Sequence, residues 1–412
     1  MTKNLSSYEG LVSATVINEL RQLGERLAGK KVVHVNSTRE GGGVAEILDW
    51  MVPLMQDVGL DVSWEVIEGT SDFFSVTKKF HNGLQGFPVH ISSQEWQTYR
   101  EVNETNAVRL RPILEEADLV VIHDPQPAPL MGLCPNRKGK WIWRGHIDVS
   151  RPTRSVWQGL RPFVAGYDAS IFSMCQFAQT LPHPQYLIPP SIDPLSPKNI
   201  DLDPEELSAV RYQYNLDSQK PLLVQISRFD RFKDPLGVIA AYKLVRKSQP
   251  VQLVLAGGGA SDDPEGQQVL EEALEAAAGD PDIHILLLPS DAHKTINALQ
   301  RLASIVIQKS TREGFGLTVT EGLWKGKPVI GGDTGGIRLQ LVNYHTGFLV
   351  NTPEGAAHRI RFLLHHEKLR NVMGIKAREF VRENFLLTRQ LREYLTLFHI
   401  VSSNDGSSTI FI

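Results

Sequence analysis

Apolar positions in this chain recur with two periods, about 3.6 and 2, and the two alternate along its length. Leu11, Val16, Leu20, Leu23 and Leu27 return at helical spacing and predict an amphipathic first helix. Residues 30–36, KKVVHVN, then read as a strand, with a helix over 47–55 behind a run of three glycines. Residues 62–67 alternate apolar and polar and give the second strand. ADLVVI at 117–122 reads as a buried parallel strand, WIWRGHIDV at 141–149 as another, and 169–173 as a short one. The second half restarts the pattern, with strands at 221–226, 251–256, 284–288, 305–307 and 329–330. Helices fill the gaps at 235–247, from DDPEG at 262–266 to near Gly279, at 294–303 and at 317–325. Such alternation calls for α/β architecture with two parallel sheets, one in each half, covered by helices on both faces. A proline-rich crossing at 186–194, continued through 195–204, is the linker candidate and puts a domain boundary near residue 190. The tail from 356 to about 400 is helical, and the polar-then-apolar residues after 400 carry no assignment.

Composition narrows the class of protein. At 412 residues the chain exceeds a single core, which rarely grows past roughly 250–300 residues, so two or three domains are expected. A net charge of −3 gives no footprint for nucleic acid or an anionic membrane surface. Cys134 and Cys175 stand far apart without a Cys/His cluster, which argues against a disulfide framework or structural zinc. The first residues do not read as a signal peptide, and no apolar run approaches the roughly 18 residues of a membrane span. A soluble, cytoplasmic protein is expected.

The residues suited to chemistry fall at predicted strand ends. Residues 305–339 run strand, glycine loop, helix, strand, and the loop sits where open α/β sheets bind ligands. It feeds a helix N-terminus, whose free N–H groups favour a phosphate. Glu313 and Glu321 bracket this loop, separated by roughly 10 Å at the helical rise per residue, about the span of a nucleotide sugar. Carboxylates accept hydrogen bonds from vicinal hydroxyls. A surface Glu and a solvent-facing helical Glu are the plainer alternative, and the glycines around them, with a second glycine loop at 331–336, weigh against it. Near the other end of the chain, Gly41, Gly42 and Gly43 exceed what a turn needs and let backbone approach a diphosphate, although the dinucleotide fingerprint is absent. Residues 73–86, FFSVTKKFHNGLQG, combine aromatic faces with Lys78, His81, Asn82 and Gln85; a sugar site and a half-buried helix would use them equally well. His123, Asp124 and Gln126 stand at a strand's carboxyl end, where two prolines make a rigid loop facing the same cleft. Arg144, His146 and Asp148 occupy alternate positions of 141–149, so a strand there puts three ionisable groups on one face, which suits a cleft better than a core. Arg228 and Lys233, at the mouth of 221–226, are cations that could hold a phosphate, although a lone Arg/Lys pair is more often a solvated loop. Asp201-Leu202-Asp203 reads as helix capping, no D-x-D stands at a strand end, and no metal ligands or tightly bound cofactor are expected, although magnesium can accompany a free nucleotide.

EGFGLTVTE at 313–321 resembles the motif of the retaining GT-B glycosyltransferases of family 4. That resemblance implies two Rossmann-like, doubly wound parallel-sheet domains facing a central cleft, residues 1–190 on the acceptor side and 191–385 holding a nucleotide sugar. A last helix at about 386–400 would pack back on the first domain. It implies that Glu313 binds the donor sugar and Glu321 the ribose, with Gly314, Phe315, Gly316, Leu317 and Thr318 completing the donor loop. SRFDxxK at 227–233 resembles the phosphate clamp, and His146 matches the histidine beside the donor's reactive centre. HVNSTREGGGVAEIL, TKKFHNGLQG, HDPQPAPL, WxWRGHID, PPSIDPLS and DDPEG further resemble the trehalose-forming synthases of that family. Those enzymes join a nucleoside diphosphate glucose to free glucose, reversibly, giving α,α-trehalose. The N-terminal motifs then supply acceptor groups, namely Glu46, His81, Asn82, Asp124, Gln126, Arg144 and Asp148, while assembly stays open, a homodimer included. No nucleophile carboxylate is evident, so the expected chemistry is front-face attack, with His146 and Glu313 holding the hexose and Arg228 and Lys233 the leaving phosphates. Other small acceptors such as a hexose phosphate or glycerate, or a nucleotide-sugar sensor without turnover, are the competing readings; a Rossmann oxidoreductase is disfavoured by the missing fingerprint.

Overall fold

The computed structural model describes residues 3–258 and 264–403. The chain divides into two compact units, one of residues 1–190 with 387–412 and one of residues 191–386. Each is built on one six-stranded sheet in which every pairing is parallel.

The first sheet contains β1 (Lys31–Asn36), β2 (Asp61–Val66), β3 (Leu119–His123), β4 (Lys140–Arg144), β5 (Ala169–Phe172) and β6 (Gln185–Leu187), in the order β2-β1-β3-β4-β5-β6. The second contains β7 (Leu222–Ile226), β8 (Gln252–Gly257), β9 (Ile283–Leu287), β10 (Ile305–Gln308), β11 (Val329–Gly332) and β12 (Gly347–Val350), in the order β12-β11-β10-β7-β8-β9. Strand order reverses between β1 and β3 in the first sheet and between β7 and β10 in the second. At such switch points two neighbouring loops leave in opposite directions and open a crevice at the strands' carboxyl ends. Strands covered on both faces must be apolar throughout, and β3, β7 and β10 are buried at every residue.

The alternation of strands and helices is as the apolar pattern predicts, and the differences have local causes. The first helix is shorter than its apolar spacing, running Ala14–Glu25 from a Ser13 cap, so Leu11 and Leu27 flank it. The aromatic stretch is a helix, Ser71–Leu84, and Phe73 and Phe80 are wholly buried against Tyr99 and Trp96 instead of offering faces to a sugar. β4 ends at Arg144, five residues before the expected end of the strand. The 195–204 stretch is no loose linker, because Asn297 donates to the carbonyls of Pro197 and Ile200 and Arg301 to those of Asn199 and Ile200. Asp203 does cap a helix, Pro204–Gln213, through a reciprocal bond with Glu206. The residues Asp262 and Asp263 of the DDPEG motif and the chain after 403 lie outside the described residues.

The helical tail is three helices, Pro353–His365, Glu367–Asn384 and Leu387–Ser403. The last belongs to the first unit and packs on the helices Ala14–Glu25 and Gly43–Asp57. Its Leu391, Tyr394, Leu395 and Phe398 are buried there. At its start Arg389 donates to the carbonyls of Pro189 and Pro190, each at 2.8 Å, and pairs with Glu393 at 2.5 Å.

Candidate active site

In the first unit the loop after β1 carries Gly41 and Gly42 at φ 75° and 85°, left-handed values that favour glycine. Gly42 is the N-cap of the helix Gly43–Asp57 and supplies no side chain to cap it. Glu46 is half-buried in that helix's first turn, and His81 and Asn82 are half-buried at the end of Ser71–Leu84. Gln126 stands in the proline loop, its backbone carbonyl held by Asn103 at 3.0 Å.

The loops after β3 and β4 are locked together by Asp124. Its own φ is 63°, its N–H donates to the Arg144 carbonyl at 2.8 Å, and its carboxylate accepts the His146 N–H at 2.8 Å. The backbone bond that would have continued β4 is thus made to a side chain, which is why the strand stops. Burial lifts the Asp124 carboxyl to about 7, against the pull of the His146 N–H and the Arg144 charge. The expected single face of three ionisable residues is therefore not formed. Arg144 is fully buried at the last residue of β4, and among the described residues none of its three guanidinium nitrogens has a hydrogen-bond partner. Asp148 is also buried and turns back on Ser150, accepting from its N–H at 3.0 Å and its hydroxyl at 2.6 Å. His146 is partly exposed, and burial together with the Arg144 charge holds it well below the usual histidine range.

His123 and, beyond it, His34, for which the sequence suggests no role, stand behind it. His34 Nδ1 lies 3.0 Å from His123 Nε2, and His123 Nδ1 lies 2.9 Å from His146 Nε2. Only the strand register reveals this. His34 pairs with Val121, and His123, two residues on, shares its face; His123 pairs with Arg144, and His146 is again two residues on. The rings climb diagonally across three adjacent strands.

In the second unit the loops after β7 and β10 carry the other candidates. Lys233 and Glu313 form an ion pair at 2.6 Å, both largely buried, and the Ser310 hydroxyl donates to the same carboxylate oxygen at 3.0 Å. The Lys233 carbonyl accepts from Gln225 of β7 at 2.8 Å, which ties this loop to its strand. Arg228, half exposed, lies 3.3 Å from Asp230, whose carboxylate also caps the turn Arg231–Lys233. Lys309, at the end of β10, pairs with Asp234, the left-handed N-cap of the helix Pro235–Arg246. The sequence reading had named neither of these last two residues as a site group.

Gly314 and Phe315 lead into Gly316, which caps the helix Leu317–Trp324 at φ 85° with no side-chain cap, and the Val319 N–H donates to the Gly316 carbonyl at 2.9 Å. Leu317 and Thr318 open that helix. Glu321, one turn on, is 1% exposed; Gln300 donates to it at 3.0 Å and Lys198 stands 4.0 Å away. The structure thus brings Lys233 and Glu313 together, keeps Arg228 on the same loop, and encloses Glu321 among partners of its own.

Two Rossmann-type sheets, each with polar and glycine-rich loops at its switch point, define a glycosyltransferase of the GT-B class. Solved structures of low sequence identity share the fold. They include the E. coli trehalose-6-phosphate protein bound with UDP-2-fluoro glucose, at a TM-score of 0.73 and 14% identity, covering 90% of this chain and 99% of that one. The α,α-trehalose-phosphate synthase of Burkholderia xenovorans in complex with glucose-6-phosphate gives a TM-score of 0.71 at 14% identity, covering 90% and 100%. The family model for the trehalose synthase N-terminal domain matches residues 34–179, and that for glycosyl transferases group 1 matches residues 208–380. Trehalose synthase of Thermococcus litoralis is 43% identical over 402 residues, 96% of this chain and 97% of its own. That of Rubrobacter xylanophilus is 44% identical over 405 residues, 96% of each. The chain belongs to the trehalose synthase family.

Proposed function

We propose that this protein is a retaining glucosyltransferase that moves glucose from a nucleoside diphosphate glucose to free glucose, forming α,α-trehalose in a reversible reaction. The observation that carries this reading is the full-length relationship to trehalose synthases, together with the Lys233–Glu313 pair at the β7/β10 switch point.

The C-terminal unit is assigned the donor. Lys233 and Arg228 take the diphosphate and the helix N–H groups at Gly316 add their dipole, so negative charge growing on the leaving phosphate meets fixed positive charge. Lys233 and Glu313 pair at 2.6 Å. With a donor present, the ammonium turns to phosphate and the carboxylate to hexose hydroxyls. Gly42 and Gly43 are assigned to donor binding, and Glu321 to the ribose, which requires its bond with Gln300 to open. No resident metal is needed in this scheme, because side-chain cations supply the charge; magnesium travels with free nucleotide.

The N-terminal unit is assigned the acceptor, through Glu46, His81, Asn82, Asp124, Gln126 and Asp148. Its Arg144 is fully buried beside His146. Arg144 is instead assigned to the electrostatics of His146. His146 is assigned to a hexose hydroxyl, and the departing phosphate accepts the proton of the attacking hydroxyl on the same face.

Incubating the protein with UDP-, ADP- and GDP-glucose and free glucose should yield α,α-trehalose by NMR with at least one donor. Absence of any glucosyl product overturns the reading, and covalent trapping of a carboxylate during turnover overturns front-face attack.

A further inference from the structure

The three-histidine chain ends in an apolar wall. His34 is fully buried, its Nε2 has no hydrogen-bond partner among the described residues, and its ring packs against Tyr394 and Phe398 of the helix Leu387–Ser403. At the other end His146 uses Nε2 toward His123, which leaves Nδ1 outside the chain.

Proton counting gives this chain a direction. A neutral imidazole has one N–H and one lone pair, so two ring-to-ring bonds in series run either all toward His34 or all toward His146. Running toward His34 leaves a buried N–H on Nε2 with no acceptor, the costlier kind of orphan. Running toward His146 leaves only a bare lone pair there. In that arrangement His34 donates from Nδ1 to His123, His123 donates from Nδ1 to His146, and His146 carries its own hydrogen on Nδ1.

We propose that His34 and His123 are positioning residues that fix His146 as a neutral Nδ1–H hydrogen-bond donor, unable to act as a base. Protonating His146 on Nε2 would require the His123 and His34 tautomers both to reverse. The charged groups around the chain oppose a cation too: Arg144 lies beside both His123 and His146. Facing Arg144 are Asp124 from the loop after β3, and Glu393 and Tyr394 from the last helix, with Arg389 on the same helix acting on that group. Burial lowers His34 to about 3 and keeps His123 well below its ordinary range. The proposal rests on the glucosyl-transfer reading for what His146 touches, a sugar oxygen that accepts a hydrogen bond, but not for the chain itself.

Nitrogen-15 spectra of histidine-labelled full-length protein, without substrate, test the chain directly, with His34→Phe, His123→Asn and His146→Asn variants used for assignment. The expected result is Nδ1–H at all three rings, the less common tautomer in water, and no protonation of His146 between pH 8 and 5. An Nε2–H signal at His146, or a midpoint near 6.5, overturns the proposal. Because Asp124 titrates at about 7 beside this loop, the ring nitrogens are read in addition to rates. In trehalose synthesis, His34→Phe removes the donor that sets the His123 tautomer, so the His146 nitrogen midpoint should shift upward and activity at pH 5.5 should fall relative to that at pH 7.5. His34→Asn, which can still donate to His123, keeps the wild-type profile. An equal loss at every pH in His34→Phe marks a merely structural residue and overturns the positioning role. Should no glucosyl product form at all, the transfer reading fails while the nitrogen spectra still decide the chain.

Discussion

Charges in this protein are distributed by burial, and single residues show the consequences. The Lys233–Glu313 pair is largely buried, so Lys233→Ala leaves a carboxylate without its cation and should cost about 3 kcal/mol or more of stability in denaturant titration. Arg228 is half exposed, and Arg228→Ala should change stability by less than about 0.5 kcal/mol. It should still lower kcat by about 100-fold or more, with a much smaller change in substrate binding. Equal effects on both would contradict its place at the leaving phosphate. The buried histidines give a pH dependence with a defined sign. His34 falls from 6.5 unfolded to about 3 folded, so the stability from keeping it neutral is complete above about 6.5 and lost as pH falls toward 3. At roughly 1.4 kcal/mol per pKa unit this single ring accounts for several kcal/mol, and Tm should fall steeply over that range. His34→Phe should flatten the fall. Asp124 has the opposite sign: its carboxyl is raised from 3.8 to about 7, so its contribution is greatest below 3.8 and is lost as pH rises through 7.

Among the elements, the short helix Leu317–Trp324 shows how much of the site was readable beforehand. Its start was legible, since Gly314 and Gly316 break the strand pattern and only a residue tolerant of positive φ suits the cap. Its position beside Lys233 followed from alternation, because parallel strands put every such loop at one sheet end. The enclosure of Glu321 was not legible: helical spacing gives a side chain's angle about the axis but not which neighbour covers that angle. Here Gln300 and Lys198 cover it, residues 21 and 123 positions away in sequence. The same limit hid the histidine chain, which depends on inter-strand register, and the early end of β4, which depends on a carboxylate from another loop. Two substitutions test this helix. Gly316→Ala puts a Cβ 3.2 Å from Glu313 Cγ at a left-handed φ, and should cost about 1 kcal/mol or more while weakening donor binding. Glu321→Ala should lower stability by about 1–3 kcal/mol, because Gln300 loses its acceptor in the interior. A nucleotide affinity that falls only in proportion to the unfolded fraction would remove Glu321 from the ribose site.

Across the molecule, the two units differ in how the chain builds them. The second is one continuous segment, whereas the first is assembled from residues 1–190 and a helix contributed after residue 386. That helix covers the face on which His34, His123 and Arg144 lie, and its Phe398 is fully buried. Phe398→Ala should therefore cost about 3–5 kcal/mol and release His34 from its apolar wall, which proteolysis of the N-terminal unit and the His34 nitrogen signals would both report. No helix among the described residues is long and apolar enough to cross a membrane.

The interrupted build has a consequence during synthesis. On a ribosome the wall over His34 emerges roughly 200 residues after the rest of its unit, a delay of about 10–40 s at ordinary elongation rates. The uninterrupted segment can close its own core as soon as it clears the exit tunnel. The part translated first therefore matures last, and through that interval its bare apolar face is the surface a nascent-chain chaperone would meet.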